Sequence, residues 1–362
     1  MHHANHFYGH AHVMARYCGF DETRPPRIAG YLQHGWNVGH GLAIGTETVA
    51  GRPLFTWSEK TARRARVAGQ AAIPVGAVWK YLLELEPTLG AVPDAERTGT
   101  IWYPFHGWER QRVHGDHERL IATIREVETG PVTVCLYWLE HRERDIRELY
   151  EAAGFRVICH GYRGYMWNHT DSQFLYAQLA EVRRHRRVAS NRLSSAIFYG
   201  VSVGCEAAVY GDPMLLSGED GRYGGQRRIT RQWPQLHGTH IDPEAARQLA
   251  DVELGTAYLA SPAEIRDLFG WPVDADRPAL LDAPVPTEIP APVEAPVPAQ
   301  RLAEEVDTET PVPTPAQRLA DEVDTGTPVP TPARDAAPAA AALEPASATP
   351  NLAHSSTASN RK

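Results

Sequence analysis

The stretch "PVTVCLYWLEHRERDIRELYEAAGFRVICHG" (131–161) decides how this chain is built. A β-branched, apolar run over 131–140 reads as a strand. A charged segment over 142–155 follows, placing Ile146, Leu149 and Tyr150 on one helical face and stopping at Gly154. A second apolar run over 155–161 closes the unit. Two strands joined by a helix of this length must run parallel, through a right-handed crossover. The same alternation extends both ways. "GTIWYPFHG" (99–107) and "DHERLIATIREVE" (116–128) precede it as strand and helix. A helix over 172–184, a short strand over 186–191, a helix over 193–204 and a strand over 205–211 follow. The predicted class is α/β with a doubly wound parallel sheet.

Such sheets bind ligands at the carboxyl ends of their strands. The residues there are unusually polar and aromatic: His106, Gly107 and Trp108; Tyr137, Trp138 and Glu140; His160, Gly161 and Arg163; and Ser190 to Ser195. Any one of them has an ordinary explanation, since a histidine in a loop is usually solvated and serines usually cap helices. Four consecutive strand ends facing one edge point instead to a site. In "RRVASNRLSSAIFYG" (186–200) a helix starts directly behind Ser194 and Ser195, and a helix start is a natural seat for an anion.

The region before residue 95 reads as a companion α/β lobe. "HFYGHAHVMARYCGF" (6–20) is helix-like and "RIAGYLQHGW" (27–36) strand-like. "RPLFTWSEKTARRARVAGQ" (52–70) reads as a strand, a Ser58 cap and a basic helix, and "AAIPVGAVWKYLLEL" (71–85) as a turn and a helix. His34 and Gly35 again follow a strand, and are expected to face the other lobe across a cleft. The expected division is an N-terminal lobe over 1–95, a Rossmann-like lobe with closing helices over 96–278, and a tail over 279–362.

That tail is Pro, Ala, Thr and Glu with no sustained apolar pattern, so it is expected to be disordered. It carries a 17-residue duplication, "PAQRLAEEVDTETPVP" from Pro298 and "PAQRLADEVDTGTPVP" from Pro315, which suits a spacer or a docking peptide for a protein partner. Its twelve acidic and five basic residues hold seven of the chain's eight net negative charges. The remainder is nearly neutral, which argues against nucleic acid as a partner. No run approaches a membrane span and no signal-peptide core opens the chain, so a cytoplasmic protein is expected, with peripheral association at the inner membrane face left open. Cys18, Cys135, Cys159 and Cys205 have no CxxC spacing and read as reduced core thiols.

Together, the "QHGW" ending an early strand, the His-Gly of "YPFHG" and the "ASNRLSS" turn resemble GT-B glycosyltransferases. The resemblance is nearest to bacterial capsule and teichoic-acid enzymes of the CDP-glycerol glycerophosphotransferase type and to bacterial sialyltransferases. It covers roughly residues 27–211. It implies two Rossmann-like lobes, the first on the acceptor side and the second holding the donor. It further implies transfer of a sugar or polyol-phosphate group from a nucleotide-sugar or CDP-polyol donor to a saccharide or polyol hydroxyl, in polysaccharide or glycoconjugate synthesis. Asn191 and Arg192 stand where the teichoic-acid enzymes carry an acid near the paired serines. "EDG" (219–221) lies downstream of every residue named, so it does not match the acidic motif of the sialyltransferases.

The chemistry expected of such a cleft follows from its residues. A neutral imidazole is a competent base near pH 7, and His34 is the first candidate. His106 would bind phosphate or act as the acid. The departing phosphate would sit on Ser194, Ser195 and the helix start, with Arg192 or Arg163 adding a forked contact. Tyr137 or Trp138 would stack on the base, while Gly107, His160, Gly161 and Asn191 complete the donor side. Neither a metal nor a cofactor is required.

Other groupings lie outside this edge. His2, His6 and His10 share a helical spacing that could hold a metal, although no carboxylate joins them. Arg63, Arg64 and Arg66 read first as a solvated helix face and second as a contact for an anionic lipid or acceptor. "GRYGGQRRITRQWPQLHG" (221–238) reads equally as a flap over the cleft or as a long surface loop. "IDPEAARQLADVE" and "SPAEIRDLFGW" carry helix-start signals at Asp242-Pro243 and Ser261-Glu264, and the latter helix is expected to cross back onto the N-terminal lobe. A nucleotide-sugar epimerase of the same fold, and a non-catalytic nucleotide- or sugar-binding protein with a recruiting tail, are the alternatives.

Overall fold

A computed structural model describes residues 3–38, 51–109, 111–164, 170–219 and 225–272. The tail and its duplication lie outside the described residues. Two parallel sheets form the frame. The first contains β1 (Tyr31–Leu32), β2 (Leu54–Thr56) and β3 (Ala72–Pro74), paired in that order. The second contains β4 (Thr100–Tyr103), β6 (Val132–Cys135), β7 (Arg156–Ile158), β8 (Arg187–Ser190) and β9 (Glu206–Val209). Its spatial order is β7-β6-β4-β8-β9, every pair parallel. The chain therefore starts in the middle and winds outward both ways, placing the switch point between β4 and β6 on one side and β8 on the other. A small antiparallel pair joins β5 (Val113–His114) to β10 (Leu215–Leu216). The α/β class with parallel sheets expected from the sequence is the class observed.

The helices are α1 (His10–Tyr17), α2 (Glu59–Val67), α3 (Val78–Leu85), α4 (His117–Val127), α5 (Trp138–Arg142), α6 (Arg144–Ala152), α7 (Phe174–Val182), α8 (Ser195–Ser202), α9 (Gly225–Gln232), α10 (Pro243–Glu253) and α11 (Pro262–Phe269). Strand alternation divides the core. Trp102, Val134, Ala189 and Ala208 pack with Leu120 and Ile124 of α4 and Tyr150 of α6. Their neighbours Ile101, Cys135, Val188 and Ala207 face α7 and α8. That second face is continuous with the first lobe, because Trp79 of α3 stacks on Tyr199 of α8 at 4.3 Å and bonds Ser202 Oγ at 2.9 Å. The two sheets thus share one apolar core.

Several boundaries differ from expectation. The predicted helix over 6–20 is broken: His3–Gly9 is a 3-10 segment with a kink at Phe7 and Tyr8, and α1 begins only at His10. Tyr8 has φ 58°, a left-handed conformation that a tyrosine adopts only under tertiary restraint. This kink removes the His6–His10 helical face, and no metal-holding group of three or more His, Cys, Asp or Glu residues occurs among the described residues; His2 lies outside them. "AIP" in 72–74 is a strand, not a turn, because it pairs with β2. The strand expected over 131–140 ends at Cys135, and Trp138 opens a short helix. Leu149 is 36% exposed, so Tyr150 anchors α6 with help from Ile146. From Gly225 the supposed flap is a helix, and Trp233 and Leu236 behind it are buried; 221–224 lie outside the described residues.

The closing helices agree with their signals. Asp242 caps α10, and Ser261 and Glu264 form a reciprocal capping box on α11. Helix α11 does return to the first lobe: Phe269 packs on Phe55, and Ala29 N–H donates to the Phe269 carbonyl at 2.9 Å. All four cysteines are free thiols, with Cys18, Cys135 and Cys205 buried. No helix among the described residues is long and apolar enough to cross a membrane.

Candidate functional site

The carboxyl ends of both sheets meet at the start of α8. After β1 the chain runs through Gln33, His34, Gly35 and Trp36, and the Trp36 N–H donates to Ser195 Oγ at 2.9 Å. A side chain on Gly35 would begin 3.6 Å from the same oxygen. Ser194 is the N-cap residue in extended backbone, yet its hydroxyl makes no capping bond. Ser195 is committed to the β1 loop, so Ser194 and the leading N–H groups of α8 are what this helix start presents.

The "ASNRLSS" turn serves mainly to lock neighbouring strand ends together. Asn191 Oδ1 accepts from Phe105 N at 2.6 Å and its amide donates to the Asp212 carbonyl at 2.6 Å, tying β8 to the ends of β4 and β9. Arg192, 3% exposed, donates to the carbonyls of Pro213 and Met214 and makes a forked pair with Glu219 at 2.8 and 3.2 Å. Its guanidinium lies 3.8 Å from the Phe105 ring centroid. Four of the five N–H groups of the Arg192 side chain are occupied in this way, so a structural role takes the place of the expected phosphate contact. Glu219 lies downstream of the strand-end residues in the sequence, and the long loop after β9 brings it back to Arg192.

A second cluster surrounds Arg163. It is buried, donates to Tyr137 Oη and pairs with Glu109, while its guanidinium sits 4.4 Å from the Phe7 ring centroid. Its carbonyl accepts from Tyr8 N at 2.9 Å, which is the restraint that holds Tyr8 left-handed. Arg163 thus pins the ends of β4, β6 and β7 to the N-terminal segment. His160 is likewise internal: it shares a 2.9 Å hydrogen bond with Tyr103 Oη and is buried, and burial is the first cause lowering its pKa to about 4. Gly161, at φ 115°, has Asp171 where a Cβ would go. Gly107 donates to Glu140 Oε1 at 3.0 Å and leaves no room for a side chain against the Gln111 carbonyl.

His106 is exposed and stacks on Tyr137 with ring centroids 4.2 Å apart and planes 12° from parallel. Its Nδ1 lies 2.6 Å from the Gly107 carbonyl. A carbonyl can only accept, so the proton is on Nδ1, and a neutral ring presents Nε2 as a lone pair. Tyr137 already stacks on His106, and Trp138 packs edge-on against Tyr162 at 4.7 Å with Arg142 on its face. Trp138 Nε1, Glu140 Oε2 and His34 Nδ1 have no hydrogen-bond partner among the described residues.

His34 packs edge-on against Phe7 at 5.1 Å. Burial first, then the charge of Arg163 and the neighbouring His10 and His3, lower its pKa to about 3. The ring is therefore neutral near pH 7, as the sequence led us to expect, but it is a weak base.

The β1 loop is fixed from behind by a carboxylate that sequence reasoning did not single out. Glu253, 2% exposed, accepts from Trp36 Nε1 at 2.9 Å, Trp233 Nε1 at 3.1 Å and Lys60 Nζ at 2.9 Å. Its signal was present, since Glu253 falls in helical step with the buried Ala246 and Ala250, placing an acid at a core position of α10. A groove of about 420 Å³ opens beside Lys60, walled by Ser58, Asp251, Val252 and Tyr258, and none of the expected site residues line it.

No family model and no curated protein matches the chain. Among solved structures it is similar to Os79 from O. sativa in complex with UDP, with 12% identity, 60% of this chain, 50% of that one and a TM-score of 0.29. It is similar to the wall teichoic acid polymerase TagF, with 14% identity, 65% of this chain, 62% of that one and a TM-score of 0.30. HepE from Anabaena, in complex with UDP and glucose, aligns at 14% identity over 60% of this chain and 61% of its own, with a TM-score of 0.27. The chain thus spans half to just under two thirds of these proteins' lengths, and superpositions this loose carry no argument about fold family or activity.

Proposed function

We propose that this protein is a GT-B-like transferase that moves a sugar or polyol-phosphate group from a nucleotide-activated donor to a hydroxyl acceptor. The observation that carries the reading is the meeting of two parallel-sheet carboxyl edges at the α8 start, marked by the Trp36 N–H to Ser195 Oγ bond. That geometry supplies helix N–H groups and the positive end of a helix dipole where a donor's phosphates would develop charge. The His106 ring presents Nε2 at the same edge, and its fixed tautomer suits it to take the acceptor proton. His34, a weaker base, would orient the acceptor. Ser194 and the α8 N–H groups would hold the leaving phosphate, with Trp138 available to contact the base or sugar. Arg163, His160, Asn191 and Arg192 would preserve the edge's shape. This scheme calls for no cofactor.

The test is a thermal-shift panel of uridine, cytidine and thymidine diphosphates, followed by the same panel on His106→Ala. Stabilisation by one nucleotide, retained in His106→Ala while turnover of the matching donor is lost, is expected. No shift with any nucleotide would remove the donor site. The occupied state of Asn191, Arg192 and Arg163 favours a second reading, a non-catalytic nucleotide- or sugar-binding protein. In that case the nucleotide shift persists and no donor is turned over.

A further inference from the structure

We propose that His6 and His12 form a binding site for a zinc ion, which clamps the kinked N-terminal segment. The site does not depend on the transferase reading. His6 belongs to the 3-10 segment His3–Gly9 and His12 to α1. The kink that takes His6 off the face of His10 turns it toward His12 instead, and His6 Nδ1 lies 3.4 Å from His12 Nε2. That separation is long for a hydrogen bond. Two nitrogens bound at about 2.0–2.1 Å to one tetrahedral ion stand about 3.3–3.4 Å apart. The right angle of an octahedral or square-planar site would bring them to about 2.9 Å. The spacing therefore suits zinc, and the two rings need little movement to receive it.

His12 is prepared for this role. Its Nδ1 lies 2.6 Å from the Glu22 carbonyl, which can only accept, so the proton is on Nδ1 and Nε2 presents a lone pair toward His6. A backbone carbonyl behind the other ring nitrogen is the usual support of a metal-bound histidine. His6 binds through Nδ1 with its proton on Nε2, so the ion enters without net proton release. No group of three ligands occurs among the described residues, and the two histidines leave the other tetrahedral positions to water. The ion fastens the strained part of the chain. Tyr8, at φ 58°, and Gly9, at φ 77°, lie between the two histidines, and a left-handed tyrosine is held only at a cost in free energy. The same segment ties two strand ends together. The Asn5 amide donates to the Gly30 carbonyl at 2.9 Å and its oxygen accepts from Leu32 N at 2.8 Å, while Tyr8 N donates to the Arg163 carbonyl at 2.9 Å. A bridge from His6 to His12 closes the chain around that kink.

Zinc binding is measured by calorimetry on the whole chain after treatment with EDTA, and the coordination is read from the visible absorption of the protein loaded with cobalt(II). A zinc-dependent rise in Tm and an intense, tetrahedral cobalt spectrum are expected. His6→Gln and His12→Gln should each lose about ten-fold or more in zinc affinity, together with the rise in Tm. His240→Gln, which removes an exposed histidine elsewhere, should keep both. His12→Gln also gives up the contact with Glu22, so the cobalt spectrum of the wild type serves as a test that needs no variant. A weak, octahedral cobalt spectrum, no zinc binding by the wild type, or equal zinc affinity in all three variants would overturn the proposal.

Discussion

The end of β8 and the end of β1 carry similar-looking polar turns, "SNRLSS" and "QHGWN", and use them in opposite ways. At β8 nearly every polar atom is spent on neighbouring loops: Asn191 on Phe105 and Asp212, and Arg192 on Pro213, Met214 and Glu219. At β1 the turn is held from outside, by Ser195 at its backbone and Glu253 at the Trp36 ring, and His34 Nδ1 has no hydrogen-bond partner among the described residues. A polar strand end is therefore not in itself a ligand contact. The first requirement at a sheet edge is to satisfy the loops that cross it, and only the remaining groups can bind.

The largest test of this contrast is Arg192→Gln. It should cost about 3–5 kcal/mol in denaturant unfolding, because Glu219 and two carbonyls lose a buried partner, and Arg192→Lys should rescue little of it since one ammonium cannot reproduce the fork. Next is Glu253→Ala, expected to cost about 2–3 kcal/mol by stranding two indole N–H groups and Lys60 and to weaken nucleotide binding by releasing Trp36. If Glu253→Ala leaves nucleotide affinity intact, the β1 turn does not depend on its outside support.

Acid should act on the N-terminal side of the comparison. His10 is fully buried and burial lowers its pKa to about 3, against 6.5 for an ordinary histidine. The unfolded chain therefore binds the proton first, so stability is complete above about pH 6.5 and falls as pH drops toward the folded value. Between pH 6.5 and 5.5 the loss from His10 should be roughly 1 kcal/mol, and His10→Phe should show a shallower fall in Tm over that interval. The smallest effect on stability is expected from His106→Ala, at most about 1 kcal/mol from the lost stacking on Tyr137. A larger loss would mean that His106 belongs with the locking residues and not with the available ones.

The second sheet is legible from sequence in outline because β4, β6 and β8 are buried on both faces and α4 and α6 are amphipathic, while the edge strand β7 is only partly buried. The first lobe was harder to read. Strands of two or three residues such as Tyr31–Leu32 and Ala72–Pro74 carry too little periodicity to be recognised, and they exist because β2 lies between them. Tyr8 adopts its left-handed backbone through a bond to Arg163, 155 positions away, and no local signal encodes that.

What the sequence determined by itself was local and periodic: the α/β class, the parallel winding, the caps at Asp242 and Ser261, and the set of polar residues at the strand ends. Only the tertiary structure decided which of those residues are available. Hydrogen-bond satisfaction is a property of pairs, and the partners of Arg192, Arg163 and Trp36 are Glu219, Glu109 and Glu253, residues brought to them by loops and helices whose paths the periodic pattern does not contain.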